Sequence, residues 1–252
     1  MAILVTGAAG GLGYAIAKAA ALKGYDVIGT DVQEVAGGAY LADLPGNHRF
    51  LKLDVRSSEA WKDAVASLEG EGVSVDRLVL NAGVMTRPTG APALDDFTEW
   101  FTEDGFNKVT SVNIGGVVLG LRVFLDHLRR SPQAEVLAMS SAAGLTPLPL
   151  DPYYSLSKHA VVGFVRSIGP VLEAHGVRVK AVCPGAVSTN LAPRDLREAV
   201  SFWADPDFIA EEALKVLDNA AGGEVWSIHH DGPGGVWRQD PPDLAAAAEL
   251  AE

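Results

Sequence analysis

Three residues have side chains suited to proton transfer at an alcohol or a carbonyl. Tyr154 and Lys158 stand four positions apart, and Ser141 comes thirteen positions before the tyrosine. Residues four apart on a helix share a face, so the phenol and the ammonium are expected to meet one ligand. A free phenol has a pKa of about 10 and is a poor base unless its phenolate is stabilised. We therefore expect two nearby cations, one of them Lys158, to lower the pKa of Tyr154, and Ser141 to donate a hydrogen bond to charge developing on a substrate oxygen.

The chain opens with a glycine-rich turn between an apolar strand pattern, at residues 2–5, and a helical pattern. Gly7, Gly11 and Gly13 have the spacing Gly-x-x-x-Gly-x-Gly, with Leu12 between the last two. A side chain at Gly7 or Gly11 would hold the backbone away from a pyrophosphate, which a helix N-terminus attracts through its free N–H groups. Gly13 allows the helix to pack closely on the sheet. The turn predicts a dinucleotide site, with a purely structural turn as the alternative.

Asp31 ends the second strand pattern, eighteen residues after Gly13. A carboxylate at this point accepts hydrogen bonds from the ribose hydroxyls of an adenosine and repels a 2′-phosphate. No basic residue follows it, because residues 32–34 are Val, Gln and Glu, and none occupies the glycine turn. These features predict NAD rather than NADP as the cofactor. The alternative is a solvent-exposed aspartate at a strand end, which is common in turns.

The composition argues against several other functions. The 252 residues are 48% hydrophobic and have a formal net charge of −12. No basic patch for nucleic acid is visible, and an acidic surface repels anionic membranes. We expect neither a signal peptide nor a membrane span, because no uncharged apolar stretch is long enough. The single cysteine, Cys183, lies in an apolar pattern and is expected to be a core residue, which suits a cytoplasmic protein.

Apolar strand patterns alternate with helical patterns along the chain. This order predicts an α/β fold: a single Rossmann-like, doubly wound parallel sheet of about seven strands with helices on both faces. We expect one domain over residues 1–252, with residues 232–252 as a tail that is either flexible or folded over a neighbour. Strands are expected at residues 2–5, 26–31, 49–54, 77–81, 135–140, 177–183 and 224–228, and helices at residues 14–23, 58–68, 108–130, 153–174 and 208–217.

Together with residues 6–13, a series of later motifs resembles the short-chain dehydrogenase/reductase family over nearly the whole chain. The motifs occur in the order and at the spacing of that family. Residues 154–167 are also similar to its 15-hydroxyprostaglandin dehydrogenase branch. The matching residues are Asp54 and Val55; Asn81, Ala82 and Gly83; Asn113, Ser141, Tyr154 and Lys158; Pro184 and Gly185; and Val187 and Thr189.

The resemblance implies an oxidoreductase that transfers a hydride between NAD and a secondary alcohol or ketone. Tyr154 is then the general base or acid, and Lys158 also holds the nicotinamide ribose. Asn113 completes the family's catalytic set by holding a helix kink and a water, which extends a proton relay from the lysine. The remaining matches imply adenine contacts at residues 54–55, a structural turn at residues 81–83 and contacts with the nicotinamide amide at residues 184–189.

Two positions depart from the family pattern. Leu80 takes a place that is asparagine in many relatives, and Ala138 takes another. Both lie in buried strand patterns, so we expect altered local hydrogen bonds rather than lost activity. Residues 85–106 form a longer segment than in many relatives, which bears on the pocket rim and on the oligomer surface.

Two irregular stretches, residues 85–106 and 184–206, follow the carboxyl ends of strands, where ligands bind in this architecture. Apolar side chains dominate their candidate pocket positions, so the substrate is expected to be a small to medium, fairly apolar secondary alcohol or ketone. Core or surface packing is the equal alternative for each candidate. The candidate pocket walls are Met85, Leu145, Leu148, Phe202 and Trp203.

Two further functions fit parts of the pattern. A 3-oxoacyl-thioester reductase shares the motifs, but Asp31 disfavours NADPH and an acidic surface would repel an acidic carrier protein. A dinucleotide-binding sensor without turnover shares the fold, but it has no need of Tyr154 and Lys158 beside Ser141.

Other charged residues are expected to be structural. His159 points to a different helix face from its neighbour and is expected to be structural or interfacial. His229 and His230 beside Asp231 lack the pattern of a metal site, so no metal is expected. A solvated acidic face is expected at Asp95, Asp96, Glu99, Glu103 and Asp104.

The helical patterns at residues 108–130 and 153–174 are apolar on more than one face. A helix that is apolar on two sides needs a second partner. The resemblance makes these helices the subunit interface, so we expect a homodimer or a homotetramer.

Overall fold

The computed structural model describes residues 1–88, 91, 97–230 and 235–241, without the side chains of residues 35–37 and 97. Within them, eight strands form one sheet in the order β3-β2-β1-β4-β5-β6-β7-β8. Strands β1 to β7 run parallel, and β8 runs antiparallel to β7. The strands are β1 (Ala2–Thr6), β2 (Asp26–Asp31), β3 (His48–Lys52), β4 (Val75–Leu80), β5 (Ala134–Met139), β6 (Val177–Pro184), β7 (Val225–Ile228) and β8 (Val236–Arg238).

Helices cover both faces of the sheet, which confirms the predicted α/β, Rossmann-like architecture. Helices α3, α5 and α6 pack on one face, and α1, α2 and α8 pack on the other. A π-helical turn (Ser111–Gly115) joins α4 to α5, and short 3-10 helices lie at Phe97–Glu99 and Ala142–Gly144. The helices are α1 (Gly11–Leu22), α2 (Glu34–Ala42), α3 (Ser58–Gly70), α4 (Glu103–Thr110), α5 (Gly116–Leu128), α6 (Pro152–Glu173), α7 (Arg194–Ala199) and α8 (Pro206–Asn219).

The central strands are almost completely buried because both of their faces are covered. Every residue of β1 and β5 is buried. Successive side chains enter opposite cores, as the period of two requires. Leu4 and Leu78 belong to the core under α3, α5 and α6, whereas Ile3 and Val79 belong to the core under α1, α2 and α8.

The two halves of the sheet diverge at β1, which lies between β2 and β4. Val5 pairs with Val79 of β4, and Thr6 pairs with Thr30 of β2. Connections that leave the carboxyl ends of β1 and β4 therefore run to opposite sides, and a crevice opens between them. This crevice is where the fold places a ligand.

The structure corrects several element predictions. The tail expected from residue 232 contains β8, an eighth strand too short to show a period. Helices α2 and α7 were not predicted, because α2 contains two glycines and α7 has only six residues. The helix expected at residues 108–130 begins five residues earlier and is interrupted by the π-helical turn.

One helical segment, Glu103–Leu128, is long and apolar enough by length and composition alone to cross a membrane. This segment contains charged residues, including Lys108, Arg122 and Asp126, so it is not the uncharged apolar stretch that the sequence analysis expected to be absent. The core helix of a soluble protein passes the same test, and α5 within this segment buries Val117, Leu121 and Phe124 in the core.

Candidate active site

A cleft of about 990 Å³ crosses the carboxyl ends of the parallel strands. Its volume lies at the upper end of the range of small-molecule sites, about 300–1,000 Å³. One end is formed by the β1–α1 turn and by the ends of β2 and β3. The other end is formed by the connections after β4, β5 and β6. The predicted cofactor residues that line it are Gly7, Gly11, Leu12, Gly13, Asp31, Asp54, Val55, Asn81, Ala82, Gly83, Tyr154, Lys158, Pro184, Gly185, Val187 and Thr189.

The glycine turn has the geometry of an anion cradle. Gly7 and Gly11 have φ angles of 71° and 53°, which few other residues adopt. A Cβ at Gly13 would overlap the carbonyl oxygen of Gly7, whereas a Cβ at Gly10 would meet nothing within 4 Å. Helix α1 begins without a side-chain cap, so its first N–H groups face this open space. The turn therefore fits a dinucleotide pyrophosphate.

Asp31 stands at the end of β2 with its carboxylate held by two backbone N–H groups. Ala9 donates to Oδ2 at 3.2 Å, and Gln33 donates to Oδ1 at 3.1 Å. The carboxylate is thus fixed beside the glycine turn, where the second and third ribose hydroxyls of an adenosine would lie.

Arg56 lines the same end of the cleft and was not predicted from the sequence. Its Nη2 donates to Asp54 Oδ2 at 2.6 Å, and its Nε donates to both carboxylate oxygens. This fork holds the pKa of Asp54 below its ordinary value. The two residues stand two positions apart in the sequence, and this spacing is the feature from which the ion pair could have been predicted.

Ser141, Tyr154 and Lys158 meet at the other end of the cleft. Ser141 follows β5, and the other two lie on the first turns of α6 with only 7% and 4% of their surface exposed. Lys158 Nζ lies 5.4 Å from the centroid of the Tyr154 ring and donates to the Met139 carbonyl at 2.8 Å. The phenol, the ammonium and the hydroxyl therefore converge as the sequence predicted.

Burial dominates the electrostatics of this group. Burial raises the pKa of Tyr154 to about 12, and a hydrogen bond with Ser141 offsets only part of the rise. Burial also lowers the pKa of Lys158 to about 8. In the protein without a cofactor, desolvation dominates, and the ammonium of Lys158 is bound to the Met139 carbonyl. A lower pKa of Tyr154 under the combined influence of Lys158 and a second cation stays a prediction.

Asn113 occupies the π-helical turn and is 1% exposed. Its Oδ1 accepts from the Val84 N–H at 2.8 Å, and its Nδ2 donates to the Val84 carbonyl at 3.0 Å and to Ser157 Oγ at 2.9 Å. A Cβ at Gly83 would lie 3.4 Å from Asn113 Oδ1 and 3.5 Å from Lys158 Nζ. Asn113 thus fixes the chain after β4 and borders a gap that it shares with Lys158.

A family model described as short chain dehydrogenase matches residues 1–199, which is more than half of the sequence. The chain belongs to the short-chain dehydrogenase family. It is therefore an oxidoreductase of a family that acts on alcohols and ketones and binds a nicotinamide dinucleotide.

Individual relatives cover most of this short-chain dehydrogenase. The human 15-hydroxyprostaglandin dehydrogenase [NAD(+)] is 34% identical over 253 residues, which cover 89% of each chain. The cyclopentanol dehydrogenase of Comamonas testosteroni is 30% identical over 197 residues, which cover 77% of this chain and 76% of that one. A crystal structure of 3-ketoacyl-(acyl-carrier-protein) reductase from Brucella melitensis, complexed with NADH, is 25% identical with a TM-score of 0.79 and covers 90% and 96% of the two chains.

The dehydrogenase has a separate apolar cluster around Tyr154. Met85, Ala143, Tyr154 and Ala192 are buried together, and they belong to neither main core. Sequence reasoning missed Ala143 and Ala192, because a lone alanine gives no signal of a pocket. Partly buried side chains that pack on the cluster are Leu148, Leu196 and Trp203.

Two of the five predicted pocket residues do not line the cleft. Leu145 packs against the core under α6, because the 3-10 helix before it turns its side chain inward. Phe202 is 57% exposed and meets the ring of His230 edge-on at 6.3 Å. Met85, Leu148 and Trp203 do line the cleft.

The remaining expectations concern structural residues. Leu80 and Ala138 pair in register on β4 and β5, so the two departures from the family pattern lie side by side in the sheet. Cys183 is buried, and burial raises the pKa of its thiol to about 11. His159 bonds the Ser155 carbonyl of its own helix at 2.9 Å.

The predicted acidic face and the group of residues considered for a metal site both include residues that lie outside the described part of the chain. Glu99, Glu103 and Asp104 are exposed, whereas Asp95, Asp96 and Asp231 lie outside the described residues. In the part of the chain that the structure describes, no three His, Cys, Asp or Glu side chains are grouped closely enough to hold a metal ion.

Proposed function

We propose that this dehydrogenase transfers a hydride between NAD and a secondary alcohol or ketone, with Tyr154 as the general base in oxidation and the general acid in reduction. The observation that carries the proposal is one cleft with two ends. Asp31 and the glycine turn lie at one end, and Ser141, Tyr154 and Lys158 lie at the other.

The choice of NAD rests on Asp31. Its carboxylate is anchored by two backbone N–H groups, so it would face the ribose hydroxyls and repel a 2′-phosphate. Arg56 does not offset this repulsion, because its guanidinium is already paired with Asp54. The printed name of the human relative, which specifies NAD(+), supports the same choice.

When bound, the nicotinamide ring supplies the hydride acceptor and, in its oxidised form, a positive charge. Tyr154 takes the hydroxyl proton of the alcohol in oxidation. A pKa of about 12 makes its phenolate rare in the protein alone, so added positive charge in the cleft is needed to favour it. Ser141 donates a hydrogen bond to the substrate oxygen and stabilises the charge that develops there.

Lys158 serves as a proton reservoir in this proposal. With a pKa of about 8, its side chain carries a proton at neutral pH and can release it near that pH. Asn113 Oδ1 lies across the small gap beside Gly83, where a water could connect it to Lys158. We include Asn113 in the catalytic set for this reason, and because its two hydrogen bonds to the Val84 backbone fix the chain beside Lys158.

The substrate is proposed to be a small to medium, apolar secondary alcohol or ketone. The apolar cluster of Met85, Ala192 and Trp203 supports this class, because it offers few polar partners beyond Ser141 and Tyr154. Cyclopentanol dehydrogenase among the relatives acts, by its name, on an alcohol of this kind.

A second candidate, reduction of a 3-oxoacyl thioester, is favoured by the likeness to the Brucella reductase. The net charge of −12 disfavours it, because an acidic carrier protein would be repelled. A non-catalytic sensor is the third candidate, and the convergence of Tyr154, Lys158 and Ser141 argues against it.

We also propose a cytoplasmic homodimer or homotetramer, built from one domain over residues 1–252, with no nucleic-acid or membrane partner. Exposed apolar side chains on α4 and α6 support association, namely Phe106, Leu156 and Val171. Light scattering should give the mass of two or four chains at micromolar concentration. A monomer would contradict this part of the proposal.

The test of the proposed function is reduction of NAD, followed by absorbance, across a panel of secondary alcohols with NADP in parallel. We expect turnover with NAD and little with NADP. Turnover with NADP alone would refute the Asp31 argument. Turnover only with 3-oxoacyl thioesters would select the second candidate, and NAD binding without any turnover would select the third.

A further inference from the structure

Thr86 and Arg87 are consecutive buried residues in the connection that follows β4. They are 9% and 6% exposed, although this connection has no regular secondary structure here. Loops seldom bury polar side chains unless specific partners satisfy them. Each residue has an acidic partner on a different element, so the pair deserves a functional explanation.

Thr86 is bound to the start of the catalytic helix. Its N–H donates to Asp151 Oδ2 at 2.8 Å, and its hydroxyl donates to Asp151 Oδ1 at 2.6 Å. Asp151 is 1% exposed and also caps α6 by accepting from the Tyr154 N–H at 3.0 Å. One carboxylate therefore ties the connection after β4 to the turn of α6 that carries the phenol.

Arg87 is bound to α7, in the connection between β6 and α8. Its Nη2 donates to Asp195 Oδ2 at 2.5 Å, and the two side chains are only 7% and 16% exposed. Removing one partner of such a buried ion pair strongly destabilises the folded protein, because the other charge stays buried without compensation. The pair therefore resists separation of α7 from the connection after β4.

The two attachments flank the apolar cluster of the pocket. Met85 directly precedes Thr86 and packs with Tyr154, while Ala192 is brought to the same cluster from the β6–α8 connection. None of the residues of α7 is fully buried, although Leu196 packs on the cluster and Arg197 donates to the carbonyls of Thr189 and Ala192. Within α7, the ion pair of Asp195 with Arg87 is the contact that joins the helix to the connection after β4 through two largely buried charges.

We propose that Thr86 and Arg87 form a clasp that fixes α7 to the start of the catalytic helix and so keeps the substrate end of the cleft assembled. Its effect on substrate rests on the proposed function, but the clasp itself does not. Arg87 and Asp195 are positioning residues, which act through the pocket wall rather than on the reacting atoms. Opening the clasp weakens substrate binding more than it slows chemistry.

The first test is limited proteolysis of the full chain by trypsin, without cofactor or substrate. Trypsin cleaves after arginine, and α7 contains Arg194 and Arg197. Arg87→Met should speed cleavage at these sites by about tenfold, because local opening governs access. Arg49→Met is the matched control, since Arg49 pairs with Glu71 at 2.7 Å far from α7.

Asp195→Asn guards against a failure of Arg87→Met to fold, because it keeps the shape of the side chain. It should also speed cleavage in α7. Cleavage no faster than in the Arg49→Met control, with either variant, would overturn the proposal. Equally fast cleavage in the unaltered protein would overturn it too.

The second test uses whichever secondary alcohol the unaltered enzyme oxidises fastest. The clasp variants should raise KM for that alcohol by about tenfold and change kcat by less than about threefold. A fall in kcat with an unchanged KM would mean a merely structural role and contradict the proposal. If no alcohol is oxidised, the proposed function fails, while the proteolysis result still decides the clasp.

Discussion

The two ends of the cleft are built in different ways. The cofactor end consists of backbone: the Gly7–Gly13 turn, the start of α1 and the end of β2, with Asp31 as its main side chain. The substrate end consists of side chains from three connections, gathered into the cluster of Met85, Ala143, Tyr154 and Ala192. The first end is fixed by regular elements, whereas the second depends on contacts between distant loops.

The sharpest way to separate the two ends is Tyr154→Phe. Loss of the phenol removes general acid–base catalysis, so kcat should fall by about 10²–10⁴-fold. The cofactor end is untouched, so calorimetry should show NAD binding within about twofold of the unaltered protein. Turnover that survives the substitution would refute the role of Tyr154.

Gly13→Ala should damage the cofactor end instead. The new Cβ would overlap the Gly7 carbonyl and lie 2.7 Å from Asn81 Nδ2. We expect a loss of about 1–3 kcal/mol in the free energy of unfolding, together with weaker NAD binding. Denaturant unfolding and calorimetry measure the two effects.

Gly163→Ala is the matched control for this substitution. Its Cβ would meet nothing within 4 Å, and the residue lies within α6. The protein should be stabilised by about 0.5–1 kcal/mol, because alanine favours helix. Equal damage from both substitutions would contradict the close approach at Gly13.

Asp31→Asn should weaken the preference for NAD over NADP and leave the substrate end of the cleft unchanged. The charge that attracts ribose hydroxyls and repels a 2′-phosphate is removed, so KM for NAD should rise about tenfold and NADP should gain. Steady-state kinetics with both cofactors measures the change. Asp26→Asn at the start of the same strand is the control and should alter neither KM; an unchanged preference in Asp31→Asn would refute the argument.

Asp151→Asn should have the smallest effect, a shift in pH dependence. Burial is the main cause of the raised pKa of Tyr154, the hydrogen bond with Ser141 lowers that pKa, and the interactions with Asp151 and Cys183 raise it further. Removing the charge favours the phenolate, so the alkaline rise of the oxidation rate should move to lower pH by less than about one unit. A profile of kcat/KM against pH measures this shift.

Thr86→Val is the control for the pH profile, because it loses a hydrogen bond to Asp151 but keeps the carboxylate charge. Its profile should keep the midpoint of the unaltered enzyme. A shift of the Asp151→Asn profile to higher pH would contradict the electrostatic account.

The same contrast explains what could be predicted from the sequence. A site built from one turn and its neighbouring strand uses residues that are close in sequence, so the spacing of the glycines and Asp31 predicts it. Tyr154 and Lys158 could be identified in the same way, because they lie four positions apart on one helix. The cluster at the substrate end has no local signal, since Ala143 and Ala192 are ordinary small residues far apart in the chain. Leu145 and Phe202 were misplaced for the same reason.

The role of Asp151 as the cap of α6 was not predicted, although the sequence contains a pattern that indicates it. Asp151 followed by Pro152 is typical of a helix start, with an acidic cap and proline in the first turn. No pattern in the sequence predicts the raised pKa of Tyr154, because the burial of the phenol is a property of the folded chain. Charge pairing was visible in the sequence, but the desolvation that outweighs it was not.

The most direct measurement of the central claim is transfer of a deuterium label. A secondary alcohol deuterated at its carbinol carbon would be oxidised with NAD, and the reduced cofactor analysed by mass spectrometry. We predict one deuterium in each NADH from the unaltered enzyme, and formation of NADH at least about a hundredfold slower with Tyr154→Phe. Unlabelled NADH, or no NADH from any alcohol despite bound NAD, would contradict hydride transfer at this site.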